Sequence, residues 1–309
     1  MPIDAAEQLD YLARIVDTTA PRTRITRLPR HALAAMACAL VAGPASVHAG
    51  SVVVTIIDGR KAHADIALPA PGGGSYTAEF EIEFDNPQNL TVACLGLDAD
   101  VLDATEIADV ESRMPDVGNQ VIDGAFPVRV TVEPPVGCGL QFDDEVHVEY
   151  HTIDLVYAPF SPYRLMKAPL GLGFHDVTGA VVSGSVRARG SGGSFSEFVI
   201  AKTLVQDYAG DADAGYDALE ARIDDPAIGL SAQLTLQADL DVSRAAFDAA
   251  NYAQAIARLD DLDLHCAALG GPALPNTWRS ARDLVNAEGE LVTLSGNIKF
   301  ALGRLDGVP

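Results

Sequence analysis

In the stretch VHVEYH, His147, Glu149 and His151 alternate with Val146, Val148 and Tyr150. Two imidazoles and a carboxylate are ligands that zinc accepts. On a β-strand all three would point to one face of the sheet. They would also stand perpendicular to it, with His147 and His151 about 13 Å apart along the strand. Such side chains do not converge on one ion, so the spacing reads as the wet face of a strand. A second set, Asp211, Asp213, Asp217 and Glu220 around Gly215 in DADAGYDALE, has the outline of a calcium loop. It lacks the acidic fifth position and the glutamate at position twelve that such loops use. Acidic residues opening a helix explain it equally well.

The better-known catalytic signatures are missing. There is no G-x-S-x-G elbow, no phosphate-binding P-loop, no G-x-G-x-x-G after a strand and no H-E-x-x-H. RGSGGS is glycine-rich, but it lies between strands and reads as a hairpin turn. Paired glycosidase carboxylates come from distant positions, and among 43 acidic residues none stands out. The sequence therefore assigns no catalytic residue, no cofactor and no metal, and the expectation is a protein that is not an enzyme.

The elements that must position these residues fall into two halves. From Ser51 to Leu204 the hydrophobic period is two, as half-buried strands require. In EFEIEFD, Phe80, Ile82 and Phe84 share one face, and Glu79, Glu81, Glu83 and Asp85 the other. VRVTVE and VHVEYH repeat the scheme, and SVVVTIID, ADIAL, LTVACL, VVSGSVRA and FSEFVI are further strand candidates. DADVLDATEIADVESRM breaks the pattern as a short helix or long loop. From about Asp211 the period becomes helical: Tyr252, Ala255, Leu259, Leu262, Cys266 and Leu269 step by three and four residues. Leu284, Leu291, Leu294, Ile298, Ala301 and Leu305 continue in the same way, with Asn276 as N-cap and Trp278 early in that helix. The predicted fold is α+β in two domains. An antiparallel β-sandwich of immunoglobulin-like type spans residues 50–205, and a small antiparallel helical bundle spans 211–306. The boundary falls in VQDYAGDADAG.

Residues 1–49 read as an N-terminal head and a signal peptide. Arg22, Arg24, Arg27 and Arg30 form a cationic flank, residues 32–41 are a short Ala- and Leu-rich stretch, and Val47-His48-Ala49 fits a cleavage site. The stretch is about half the roughly 20 residues needed to span a bilayer. Cleavage is expected after Ala49, and the head before the flank is expected to reflect an upstream, overcalled start. The protein is then secreted or periplasmic. A net charge of −22 disfavours nucleic acid and anionic lipid. Hydrophobic content of 48% supports ordinary cores. Aromatics are only 6%, few for a sugar-binding groove. The expected role is a non-catalytic surface or structural module with an extracellular or envelope protein or glycan as partner. A carbohydrate or small-ligand binding module is the alternative, and an extracellular hydrolase comes after it.

Three cysteines follow the cleavage site. Export permits disulfides, and Cys94, on the apolar side of its predicted strand, is expected to pair with Cys138 in the turn PPVGCG. Closing that loop stabilises the fold by roughly 4 kcal/mol. Cys266, in a helical seam, is expected to stay reduced.

Two stretches, SPYRLMKAPLGLGFHDVTGAVVSGSVRARGSGGSFSEFVI and LPNTWRSARDLVNAEGELVTLSGNIKFAL, resemble an uncharacterised family of secreted bacterial proteins, a domain of unknown function. In that family a strand-rich half precedes a helical tail. ANYAQAIARLDDLDLHC also resembles small helical modules at the ends of extracellular bacterial enzymes and adhesins. The resemblance implies no activity and transfers no functional residue.

Overall fold

A computed structural model describes residues 50–309, so the predicted head, signal and cleavage site lie outside the described residues. The alternating segments form two antiparallel sheets. The first runs in the order β1 (Ser51–Ile57), β2 (Lys61–Pro69), β3 (Ser75–Gln88), β7 (Gln141–Thr152), β11 (Val186–Gly192) and β10 (Thr178–Val182). A short β13 (Thr277–Arg279) pairs with β7 where β11 has ended. The second sheet runs β4 (Leu97–Val101), β6 (Val128–Val132), β12 (Glu197–Thr203), β8 (Tyr163–Ala168) and β9 (His175–Asp176), with β5 (Gln120–Ile122) also paired to β12.

The inward positions of both sheets make one apolar core. Phe80, Ile82 and Phe84 of β3 and Val146, Val148 and Tyr150 of β7 meet Val128, Val130 and Val132 of β6 and Phe198 of β12. The Phe80 ring lies 5.3 Å from both Tyr150 and Phe198. The second sheet is buried on its other face too. Met166, Ala168, Val199 and Ala201 form a smaller core with Val110 of α2 (Ala104–Ser112). Asp103 and Glu106 close a capping box on that helix, a local reason for its start. LTVACL is not a strand: Thr91 caps a single turn, α1 (Val92–Leu95), whose N-cap hydroxyl accepts from the Cys94 amide. Cys94 nevertheless bonds Cys138, with Cα atoms 5.4 Å apart.

The helical pattern becomes α3 (Tyr208–Ile223), α4 (Leu230–Asp248), α5 (Tyr252–Leu269) and α6 (Ala287–Leu305). Tyr216, Leu219, Leu240, Leu259, Leu262, Leu291 and Ile298 fill the seam between them, and Cys266 is buried there with a free thiol. The segment 211–306 is not wholly a bundle, however. Asn276 and Trp278 do not open a helix; they lead into and occupy β13, where Trp278 stacks on Phe142 at 5.3 Å. The last helix starts ten residues later than expected from Asn276, at Ala287, capped by Asn286. The predicted linker is also shorter than read. Asp207 caps α3, so only Leu204 to Gln206 lie between β12 and that cap. RGSGGS is no hairpin turn either; it ends β11 and leads across to β12 in the other sheet. The described residues fall within one compact unit.

Candidate functional site

The outward face of the first sheet carries most of the chemistry that the sequence singled out. His147, Glu149 and His151 do share that face, but each has its own partners. Glu149 pairs with both Arg187 and Arg189 of β11. His151 bonds Glu79 at 3.0 Å and the Ser185 hydroxyl at 2.6 Å. His147 is exposed, 3.9 Å from Glu145.

Register explains the arrangement. Glu81 of β3 stands directly opposite Glu149 of β7, with Glu79 opposite His151 and Glu83 opposite His147. Like charges in facing positions are destabilising unless neutralised. Neutralisation comes from the flanking strands: Lys61 and His63 of β2 hold Glu81, and the β11 arginines hold Glu149. His63 lies 3.0 Å from Glu81 and 3.3 Å from Asp65. Burial works against the His63 charge, but these bonds outweigh it and hold the imidazole pKa above its ordinary value. Burial likewise opposes charge on Glu81, yet Lys61 and His63 prevail and hold its carboxyl below the ordinary range. A carboxyl held ionised is the opposite of a general acid, whose pKa must be raised.

Two shallow grooves cross this face. One, of about 450 Å³, is lined by Lys61, Glu81, Glu83, His147, Glu149 and Arg187. The other, of about 400 Å³ and more apolar, lies by the sheet edge and is lined by Ser51, Val53, Ala67, Thr77, His151 and Ile153.

The α6 helix covers the remaining part of the same face, over β7, β11 and β10. Its first turn approaches the strands closely. A side chain on Gly289 would sit 2.6 Å from the Asp144 carbonyl and 2.7 Å from Gly193, so both glycines are required there. The Asn286 amide donates to the Asp144 carbonyl, Asn276 donates to the Asp144 carboxylate at 2.8 Å, and Ser191 meets Thr293 at 3.3 Å. Glu288 is buried beside them. Its pKa is pushed up to about 8, by burial first and then by Asp144, Glu145 and Asp143.

The acidic set around Gly215 lies on a helix and not in a loop. Asp213, Asp217 and Glu220 surround Arg244 of α4, and Gly215 is the flat spot against Ile298. Asp211 points elsewhere: burial and then Asp176 raise its pKa to about 6. Sequence reasoning missed Lys61, Arg187 and Arg189 as partners of the acidic stripe. The signal was there in KAHA and VRARG, where charges alternate with apolar residues in opposite sign to EFEIEFD.

No curated protein matches the chain. A family model described as "Family of unknown function (DUF6689)" matches residues 32–306, and the chain belongs to that family.

Proposed function

We propose that this is an exported, non-catalytic protein that works by presenting the charged outer face of its first sheet to an extracellular or envelope partner. The observation that carries the reading is the stripe of Glu81 and Glu149 held between cations from β2 and β11. Its side chains are already fixed by one another, so a partner meets a rigid charged surface and less conformational freedom is lost on contact. The face is open, and Glu81 is poorly suited to deliver a proton. Sugar binding has less support, because Phe84, Phe142, Phe195 and Trp278 are interlocked in or against the core and offer no stacking platform. The Cys94–Cys138 bond favours an oxidising compartment, and no helix of the described residues is long and apolar enough to cross a membrane.

The test is capture from envelope extract with the wild-type protein and with Arg187→Glu/Arg189→Glu. Because the substitution leaves Glu149 without its cations and lowers stability, capture is compared at a temperature where circular dichroism shows both proteins folded, and partners should be lost from the variant. Identical capture by both, or turnover on a hydrolase substrate panel, would refute the reading. Export itself predicts a mature protein whose first residue by N-terminal sequencing is Gly50.

The immunoglobulin-like description and the division into 50–205 and 211–306 belong to the same proposal. Proteolysis is expected to begin at the exposed Leu204 and Val205. The two fragments should then stay associated through β13.

A further inference from the structure

We infer that the free edge of β1 pairs with β1 of a second copy in a closed, two-fold dimer. The inference uses the sheet's edge, not its charged face, and is independent of the function proposed above. Strand β1 is the last in its sheet, and among the described residues it pairs only with β2. Its seven residues, SVVVTII, are six-sevenths β-branched and contain no charge and no proline. Natural edge strands of this length are usually protected by charges, prolines or bulges, and this one has none of them within Ser51–Ile57. Elsewhere a chain of net charge −22 repels its own copy, whereas at this edge no charge opposes another.

The strand is also self-complementary. Antiparallel pairing centred on Val54 puts Val54 opposite its equivalent, Val52 opposite Ile56, Val53 opposite Thr55 and Ser51 opposite Ile57. Facing residues in such a pair lie on the same side of the sheet. Val52, Val54 and Ile56, which pack against the core within one copy, would therefore continue that apolar layer across the junction. On the outer side, the exposed Ile57 of one copy would stand by the small Ser51 of the other. Ser51 is at the rim of the apolar 400 Å³ groove, so the isoleucine is a knob set beside a recess. The two-fold axis repeats this contact and uses up both edges, so assembly stops at two. One strand edge with one knob per side falls below the roughly 1,200 Å² of a standard stable interface, so the expected Kd is on the order of 10–100 µM.

The experiment is sedimentation equilibrium of the full chain across that range, with Val53→Lys, Val53→Glu and Ile57→Asp. Val53 and Ile57 are solvent-exposed, so Val53→Lys, which faces Asp65, and Ile57→Asp, which faces Lys61, should keep the wild-type melting temperature. Val53→Glu, which faces Asp65, should melt slightly lower but stay folded at the temperature of the experiment. Two copies of residue 53 face each other diagonally across the axis. Each charged variant alone should weaken the dimer at least tenfold, and an equal mixture of the Lys and Glu variants should recover it. A wild-type chain monomeric up to about 1 mM overturns the proposal. So does a dimer indifferent to all three substitutions, a mixture that fails to recover, or growth into open filaments. The Arg187→Glu/Arg189→Glu variant should dimerise normally, which separates this outcome from the fate of the charged-face reading.

Discussion

One face of the first sheet is treated in two ways. Over β2, β3 and the near part of β7 it is open, and its carboxylates are neutralised in pairs by cations that remain half in water. Over the end of β11, over β10 and over the start of β7 it lies under α6, where glycines, a serine and asparagine amides stand at the closest contacts. Where water remains, the sheet tolerates facing glutamates because long flexible cations can reach them. Where a helix seals it, backbone approaches backbone, and burial raises the pKa of the carboxyls enclosed there, Glu145 and, up to about 8, Glu288. Burial, more than sequence composition, decides which polar groups each half can carry.

The largest expected effect tests whether both halves hang from one core. Replacing Cys94 and Cys138 with serine should cost roughly 4 kcal/mol, with amide protection falling across open and covered strands together. Loss confined to the open half would contradict the shared core. Gly289→Val attacks the covered half, since its two nearest neighbours, the Asp144 carbonyl and Gly193 Cα, are backbone atoms that cannot yield. A loss of about 3 kcal/mol is expected, read by chemical denaturation followed through the single tryptophan, Trp278.

Glu288→Gln sharpens the contrast through pH. A carboxyl whose folded pKa is raised keeps a proton that the unfolded chain gives up, so its penalty grows as pH climbs from 4.5 towards about 8. The glutamine variant should match wild type at pH 4 and be more stable by on the order of 2 kcal/mol at pH 9. A constant difference at all pH values would show that the seam does not enclose this carboxyl.

The smallest effect belongs to the open half. Glu81→Gln should cost under about 1 kcal/mol at neutral pH and low salt. Because the Glu81 pKa is lowered, that contribution exists above 4.5 and disappears as pH falls through its folded value. The His63 contribution runs the other way, present below 6.5 and lost as pH rises through its raised folded value. Thermal melts at several pH values and salt concentrations check both signs.

Period-two alternation made β3, β6 and β7 legible, because each has one wet side. The same rule was blind to the second sheet's double burial: YRLMKA of β8 is buried throughout, charged residues included. Helical seams were legible wherever leucines repeat. The Cys94–Cys138 bond was anticipated from a strand that is really a turn of helix, since Thr91 supplies a cap that the alternation of Leu90, Val92 and Cys94 concealed. β13 could not have been read locally. Three residues carry no period, and TWR is a strand only because Trp278 finds Phe142 and Phe195. The ion-paired face needed register, which depends on how strands distant in sequence align.

That short strand has a consequence for the order in which the chain can fold. Residues 277–279 pair with residues 141–143, so the first sheet remains unfinished while more than a hundred intervening residues are synthesised. Until then Phe142 and Phe195 lack the indole that covers them, and any path to the native state must close one of its longest loops late. A nascent chain halted before Trp278 would hold its strands with an exposed aromatic end, so the last thirty-odd residues act as the latch of a sheet begun at the other end of the chain.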